Sequence, residues 1–263
     1  LLAAITFLSI EALLHLLINK IRDRFAERVN WTKGRIFTNI ITTKDKNPPI
    51  DKKGLYRFRI HFYDSLLGSV TKPASSNIEH HETPQKEVVT TRYTINAIGS
   101  RTNPGHEHLP TKISCFGDSI TFCRHVNDDQ SWEHFLAKSL GCNVANFAVG
   151  NYGLDQAYLR CKRELENGLD GSVVLMGVAP ETIRRCLSIW KHFFEFGNIY
   201  YFKPRFKLDN GELTLIPTPI DTSDKYFEIE KYLSYIQEHD FFYENKFKKY
   251  LLHFPYTYSL LKN

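Results

Sequence analysis

The chain has 263 residues, of which 42% are hydrophobic and 24% charged, and its formal net charge is +5. This size fits one sizeable α/β domain with attachments and excludes two large domains. Basic residues are scattered among acidic ones, which argues against nucleic-acid binding. The five cysteines show neither a CxxC pair nor a metal-ligand spacing, so we expect free, mostly buried thiols and no metal.

The first predicted element covers residues 1–25. "LLAAITFLSIEALLHLLI" has about the length of a membrane span, but Glu11 and His15 interrupt it on one helical face. Four basic residues follow the apolar run: Lys20, Arg22, Arg24 and Arg28. The segment predicts a single-pass span with a polar stripe, an interfacial helix or a signal anchor. The pattern leaves the side of the membrane open.

Residues 26–110 form a polar, turn-rich N-terminal extension. Short alternating runs within it, such as "LYRFRIHF" and "EVVTTRYTI", predict a few strands. We expect this extension to pack against the segment that follows.

From residue 111 onwards, predicted strands alternate with predicted helices. The runs "TKISCF", "NVANFAV" and "SVVLMGV" predict strands, and "SWEHFLAKSLG", "LDQAYLRCKRELENG" and "PETIRRCLSIWKHF" predict helices. In the first helix Ser131 is a suitable N-cap and Gly141 a suitable stop. Four apolar residues of that helix are expected to face the core: Trp132, Phe135, Leu136 and Leu140.

This alternation predicts an α/β fold with a parallel sheet covered on both faces. Right-handed crossovers bring the carboxyl ends of parallel strands to one edge of the sheet. We therefore expect Ser119 to meet the loops 150–153 and 177–181 there.

The last segment, residues 191–263, is aromatic and basic. It predicts one or two amphipathic helices whose core positions are Tyr232, Ile236, Phe242 and Phe247. Such a segment serves either as a lid over the pocket or as extra packing surface, and the pattern favours neither.

Ser119 lies in "CFGDSITF", directly after a predicted strand. A serine hydroxyl becomes a nucleophile when a base removes its proton and donors receive the oxyanion. The stretch resembles the first block of the SGNH (GDSL) hydrolase family. "TINAIGSR" is similar to the lead-in of membrane-linked or secreted bacterial members, and "NFAVGNYGLDQAYLR" resembles the second block with its helix. The resemblance covers most of residues 63–205.

The resemblance implies a three-layer α/β/α domain over residues 111–263, with a flavodoxin-like parallel sheet. It identifies Ser119 as the nucleophile and implies that the backbone N–H groups of Ser119 and Asn151 form the oxyanion hole. Four residues match supporting positions of the motif blocks: Gly117, Asp118, Gly150 and Gly177. Asp118 is expected to shape the turn.

Two departures from the family stand out. In the third block Ala179 occupies the position where members often have an asparagine that donates to the oxyanion. The family's Asp-x-x-His block, which supplies the base, does not occur in these residues. We expect the chain to stop before that block.

The function implied by the resemblance is ester hydrolysis through an acyl-enzyme on Ser119, or a related O-acyl transfer, with no cofactor. The substrate class is a carbohydrate or lipid acyl ester, and the family favours an extracytoplasmic, membrane-associated location. The alternative is a catalytically silent domain that binds glycan or envelope components. A nucleotide-binding α/β domain is a weaker reading, because "GDSITFC" lacks a Gly-rich phosphate loop.

Overall fold

A computed structural model describes most of the chain, in these ranges: 2–26, 41–42, 50, 52–83, 85–170, 172–195, 198–248, 251–252 and 255–258. The first helix, α1 (Leu2–Ala26), covers the apolar N-terminal run. Within the described ranges, no helix has the length and apolar character needed to cross a membrane.

The polar stripe of α1 contacts the end of the described chain. The buried Glu11 carboxylate accepts hydrogen bonds from the backbone N–H groups of Tyr256 and Thr257. His15 Nδ1 lies 2.9 Å from the Tyr256 hydroxyl. The two residues that interrupt the apolar run therefore have partners within the chain.

The described part of the extension has one helix and five short or medium strands: β1 (Ile41–Thr42), α2 (Lys52–His61), β2 (Tyr63–Asp64), β3 (Gly68–Ser69), β4 (Ser75–Glu82) and β5 (Val88–Ile95). β4 and β5 form an antiparallel hairpin, which confirms the strand predicted for "EVVTTRYTI". The strand predicted for "LYRFRIHF" is wrong, because most of that run lies in α2. Leu55 and Phe58, one helical turn apart, are both buried against the aromatic core described below.

Three parallel strands form the central sheet: β6 (Thr111–Phe116), β7 (Asn143–Asn146) and β8 (Val173–Met176). The spatial order is β7-β6-β8, with both pairs parallel. The associated helices are α3 (Trp132–Leu140), α4 (Leu154–Glu166) and α5 (Pro180–Arg185). The prediction of an α/β fold with a parallel sheet is confirmed.

The ends of α3 follow the predicted capping chemistry. The Ser131 hydroxyl accepts a hydrogen bond from the His134 N–H at 3.2 Å, which satisfies one of the free donors of the first turn. Gly141 has a φ of +60°, the left-handed conformation in which helices commonly stop.

Burial departs from the prediction at the outer strand and at α3. β6 and β7 are largely buried, but Val173, Val174 and Leu175 of β8 are 44%, 41% and 37% exposed. The expectation that both faces are covered is therefore wrong for β8, which in the described part of the chain pairs with β6 alone. Helix α3 buries Ala137 against β6 and β7, and its side chains of Trp132, Phe135 and Leu140 are exposed.

The remaining elements are α6 (Lys191–Phe194), β9 (Arg205–Asp209), β10 (Glu212–Ile216), α7 (Ile229–His239) and β11 (Leu251–Leu252), which pairs with β1. Residues of α6, β10 and α7 contribute to a second core rich in aromatic residues. Predicted core residues Ile236, Phe242 and Phe247 are buried there, which confirms those positions, while Tyr232 is partly buried against them. The helix predicted over "PETIRRCLSIWKHF" is interrupted and forms α5 and α6 instead. Tertiary burial thus joins the extension to the late segment.

Glu133 of α3 is a buried carboxyl beneath the sheet edge. Its Oε1 accepts a hydrogen bond from the Asn146 side chain, and its Oε2 has no partner among the described residues. Burial raises the pKa of Glu133 from 4.5 to about 7, against the lowering effects of its hydrogen bonds and of Arg101. Between pH 4.5 and about 7, the folded protein therefore keeps a proton on Glu133 that the unfolded chain has already released.

We predict that this carboxyl makes stability fall with pH. The free energy of unfolding should fall by roughly 3 kcal/mol as pH rises from about 4.5 through about 7, because over this range Glu133 ionises in the unfolded chain but stays protonated in the folded protein. Denaturant unfolding of wild type and Glu133→Gln across this range should show the wild type losing that amount relative to the variant. Parallel curves for the two proteins would contradict the prediction.

Candidate functional site

Ser119 lies two residues beyond the glycine that follows β6, in a tight turn. The Phe122 N–H donates to the Asp118 carbonyl at 2.8 Å, and the Arg124 N–H donates to the Ser119 carbonyl at 3.1 Å. Ser119 lines a cavity of about 350 Å³, which we call the Ser119 cavity. Its hydroxyl makes no hydrogen bond to any residue that the structure describes.

Asp118 anchors the turn from behind the cavity. Its Oδ1 accepts a hydrogen bond from the Ile120 N–H at 2.9 Å, and its Oδ2 pairs with Arg185 Nη1 at 3.0 Å. Both contacts are partly buried. The carboxylate thus holds the turn and the end of α5 together and is not among the residues lining the Ser119 cavity.

Gly117 and Gly177 leave room for the side chain of Thr121 at the ends of β6 and β8. A Cβ atom at Gly117 would lie 2.1 Å from Thr121 Oγ1, and one at Gly177 would lie 1.8 Å from it. The Gly177 N–H donates to the Phe116 carbonyl at 2.8 Å. The two glycines therefore permit a close approach that any other residue would prevent.

The loop after β7 reaches the same cavity as the serine. Gly150 and Asn151 both line it, and a Cβ atom at Gly150 would lie 3.9 Å from Ser119 Cβ. Asn151 has a φ of +73°, a left-handed conformation that asparagine adopts more readily than most residues. In the described chain, the backbone N–H groups of Ser119, Gly150 and Asn151 donate to no acceptor. These donors remain available to a ligand.

The third predicted loop, residues 177–181, lines a different pocket from Ser119. Gly177 and Ala179 line a second pocket with Asp118 and Trp132, and neither lines the Ser119 cavity. The Ala179 N–H donates to the Thr182 hydroxyl at 2.9 Å. The structure therefore brings Ser119 together with the second block but not with Ala179.

Arg101, at the end of "TINAIGSR", holds the loop that follows Ser119. Its buried guanidinium pairs with Asp128 through Nε at 2.9 Å. The Nη1 atom donates to the Phe122 carbonyl at 2.6 Å, and Nη2 donates to the Val126 carbonyl at 2.7 Å. Its backbone N–H donates to the carbonyl of Asn146 in β7 at 2.9 Å. Sequence reasoning did not assign Arg101 a role of its own.

The loop held by Arg101 contains two strained residues. Cys123 and His125 have φ values of +57° and +75°, which cost energy for residues with a Cβ atom. Arg101 Nη1 also donates to the Cys123 carbonyl at 2.9 Å. These hydrogen bonds offset the strain and fix the loop beside Ser119.

The extension and the late segment supply the opposite wall of the Ser119 cavity. His61 and Glu79 line it from the extension, and Tyr201 lines it from the late segment. Burial would raise the pKa of Glu79, but hydrogen bonds from Arg124 and the Tyr93 hydroxyl hold it below its ordinary value. The wall therefore presents an ionised, paired carboxylate.

The histidines and the possible metal ligands of the described chain limit the chemistry of the site. Of the histidines that the structure describes, His61 is the one that lines the Ser119 cavity. No group of three or more His, Cys, Asp or Glu side chains in the described ranges is arranged to hold a metal ion.

Comparisons of the chain with protein-family models, curated proteins and solved structures found no match. The likeness to SGNH hydrolases therefore rests on the motif residues and on where the fold places them.

We predict that Arg101→Lys destabilises the protein by about 2–3 kcal/mol, because a lysine cannot reach the Asp128 carboxylate and the three backbone carbonyls that the guanidinium contacts. Thermal unfolding measures the loss, and faster amide hydrogen exchange at residues 122–126 locates it. Arg92→Lys, at an exposed position, is the matched control and should change stability by less than about 0.5 kcal/mol. Equal losses of stability in the two variants would show that the guanidinium of Arg101 does not stabilise the loop.

We predict that Asn151 is required for its backbone conformation. Asn151→Gly should leave stability within about 0.5 kcal/mol, and Asn151→Val should cost about 1–2 kcal/mol, because a β-branched residue is strained at a positive φ. Thermal unfolding of the two variants tests this. A large loss with glycine would instead indicate a contact made by the asparagine side chain.

Proposed function

We propose that the chain is a serine ester hydrolase of the SGNH type, or an O-acyltransferase of the same chemistry, with the family's three-layer α/β/α fold. The observation that carries the proposal is the meeting of the first two motif blocks at one cavity. There the Ser119 hydroxyl and the N–H groups of Ser119 and Asn151 have no partners in the described chain.

In the proposed reaction, Ser119 Oγ attacks the ester carbonyl carbon while a base takes its proton. The N–H groups of Ser119 and Asn151 donate to the oxyanion of the tetrahedral intermediate. The intermediate collapses by breaking its bond to the alcohol oxygen, which receives the proton, and the acyl group stays on Ser119. Water or an acceptor hydroxyl then attacks the acyl-enzyme and regenerates the serine.

The base is the least defined part of the site. In the described ranges no side chain hydrogen-bonds to Ser119 Oγ, and no Asp-x-x-His occurs in the sequence. His61 lines the same cavity and is the histidine to test for this role. Ala179 supplies no side-chain donor and does not line the Ser119 cavity, so the proposed oxyanion hole consists of the N–H groups of Ser119 and Asn151.

The substrate we propose is a carbohydrate or lipid acyl ester met at a membrane. The cavity of about 350 Å³ accommodates an acyl group with part of its alcohol. Leu8, Leu13 and Leu16 of α1 expose more than half of their surface, and four basic residues follow the apolar run. We propose that this helix associates with the membrane and that the domain lies on its extracytoplasmic side, as the family resemblance implies.

A second function is favoured by one observation. A hydroxyl with no base in contact suits a catalytically silent domain that binds glycan or envelope components through the same cavity. The two proposals differ in whether Ser119 reacts covalently.

The test is intact-protein mass spectrometry after treatment with a fluorophosphonate ester. We expect one adduct, mapped by peptide analysis to Ser119, in wild type and none in Ser119→Ala. Ser76, an exposed serine lining the same cavity, provides the matched control, and Ser76→Ala should label like wild type. Loss of labelling in His61→Ala would assign the base to His61.

Absence of an adduct on folded wild-type protein would overturn the hydrolase proposal and favour the silent domain. Thermal unfolding of each variant shows that it is folded. Ser119→Ala should melt within a few degrees of wild type, since its hydroxyl makes no hydrogen bond in the described chain.

A further inference from the structure

A small recess adjoins the Ser119 cavity. Its volume is about 20 Å³, which holds about one water-sized group. Ser69, Asn151 and Tyr201 line both spaces. The recess is therefore next to the proposed oxyanion donor Asn151.

Three cations line the recess, and among the described residues no carboxylate does. They are Arg185, Lys191 and Lys203, and we call the space the cationic recess. Lys191 and Lys203 are each 6% exposed. Buried charges at a cavity wall are costly unless they are paired, so their partners decide what the recess can bind.

Each cation is paired with a carboxylate that does not line the recess. The pairs are Arg185 with Asp118 at 3.0 Å, Lys191 with Glu195 at 3.1 Å and Lys203 with Asp155 at 2.5 Å. The carboxylates offset the cost of burial, and they lie outside the lining to which Arg185, Lys191 and Lys203 belong. An anion in the recess is then nearer to the positive charges than to the negative ones.

Some of the donors at this wall are unused. Arg185 Nε is buried and has no acceptor among the described residues. Lys191 Nζ, which carries three protons, has one charged partner in the described chain, Glu195. A buried donor without an acceptor is costly, so a ligand oxygen placed here would relieve that cost.

The cations also repel one another. Burial, together with the charges of Arg185 and Arg124, lowers the pKa of Lys191 to about 8 against the attraction of Glu195. Arg124 belongs to the wall of the Ser119 cavity, so the repulsion extends from the recess into that cavity. A bound anion would reduce this repulsion.

The Ser119 cavity continues the positive charge. Lys72 lines it and donates to the Tyr63 carbonyl at 2.7 Å, with no carboxylate partner in the described ranges. Of the described residues that line the cavity, Glu79 is the one carboxylate, and it is paired with Arg124. The combined space therefore has an excess of positive charge at its surface.

We propose that the ester bound in the Ser119 cavity carries an anionic oxygen group, a carboxylate or a phosphate, one oxygen of which enters the cationic recess. The recess admits little more than one oxygen atom, so the body of the ligand stays in the larger cavity. This inference rests on the proposed function only in taking the ligand to be an ester.

The test uses Ser119→Ala, which cannot form an acyl-enzyme, so binding is measured without turnover. Isothermal titration compares 4-acetoxybenzoate with its neutral methyl ester, which differs by the charge and one methyl group. We expect the carboxylate to bind at least about tenfold more tightly. Benzoate and phenyl phosphate, titrated in parallel, distinguish the two anions by which binds more tightly.

Variants of Lys191 locate the effect. In the Ser119→Ala background, Lys191→Gln should reduce the preference for the carboxylate to about threefold or less, and Lys191→Arg should retain most of it. Lys207→Gln, at an exposed lysine of β9, is the matched control and should keep the full preference. Lys72→Gln provides a second variant at a partly exposed position if Lys191→Gln does not fold.

Equal affinity for the charged and neutral esters would overturn the inference, even if Ser119 is labelled by the fluorophosphonate. A preference for the carboxylate that survives both Lys191→Gln and Lys72→Gln would also overturn it. An unreactive Ser119 with a retained, Lys191-dependent preference would refute the hydrolase and leave the anion site in place.

Discussion

The buried guanidinium of Arg101 is the interaction on which the arrangement around Ser119 depends. It joins the end of the extension to the loop after Ser119, and the backbone N–H of the same residue donates to the strand β7. The loop contains two residues at positive φ, so it would relax to another conformation without these hydrogen bonds. The planar, multidentate geometry of arginine suits this role because one side chain satisfies several carbonyl groups.

The candidate site is assembled from separate segments, each held by its own contacts. Asp118 ties the serine turn to α5 through Arg185, and Arg185 also lines the cationic recess. The late segment contributes Lys191 to the recess and Tyr201 to both spaces. The aromatic core beneath these residues includes Phe58 of the extension, which fixes the two outer segments against each other. Contacts within the fold therefore link the turn of the proposed nucleophile to the residues of the proposed anion site.

Charge and burial oppose each other throughout this region. Glu133 is buried, one of its oxygens has no partner among the described residues, and its pKa rises to about 7. Lys191 is buried among cations, and its pKa falls to about 8. The pKa values of both groups therefore lie near neutral pH. Burying such ionisable groups lowers the stability of the fold. Lys191 lines the cationic recess, whereas Glu133 lines neither the recess nor the Ser119 cavity.

Much of the framework could be predicted from local sequence. The alternation of apolar runs and helical patterns predicted the parallel sheet, and the capping residues Ser131 and Gly141 predicted both ends of α3. The motif "GDS" directly after a predicted strand indicated a turn shaped by Asp118, and in the structure Asp118 accepts the Ile120 N–H in that turn. These features depend on neighbours in the chain, so the order of residues suffices to determine them.

Tertiary packing decided the rest. The run "LYRFRIHF" alternates like a strand yet lies mostly in a helix, because Leu55 and Phe58 are buried by a core formed more than a hundred residues later. The exposed face of α3 and the exposed strand β8 depend on which elements lie beside them, which periodicity cannot specify. Arg101 and the cationic recess escaped sequence analysis for the same reason. The residues that form them are scattered along the chain, and their charges acquire meaning only when folding brings them together out of water.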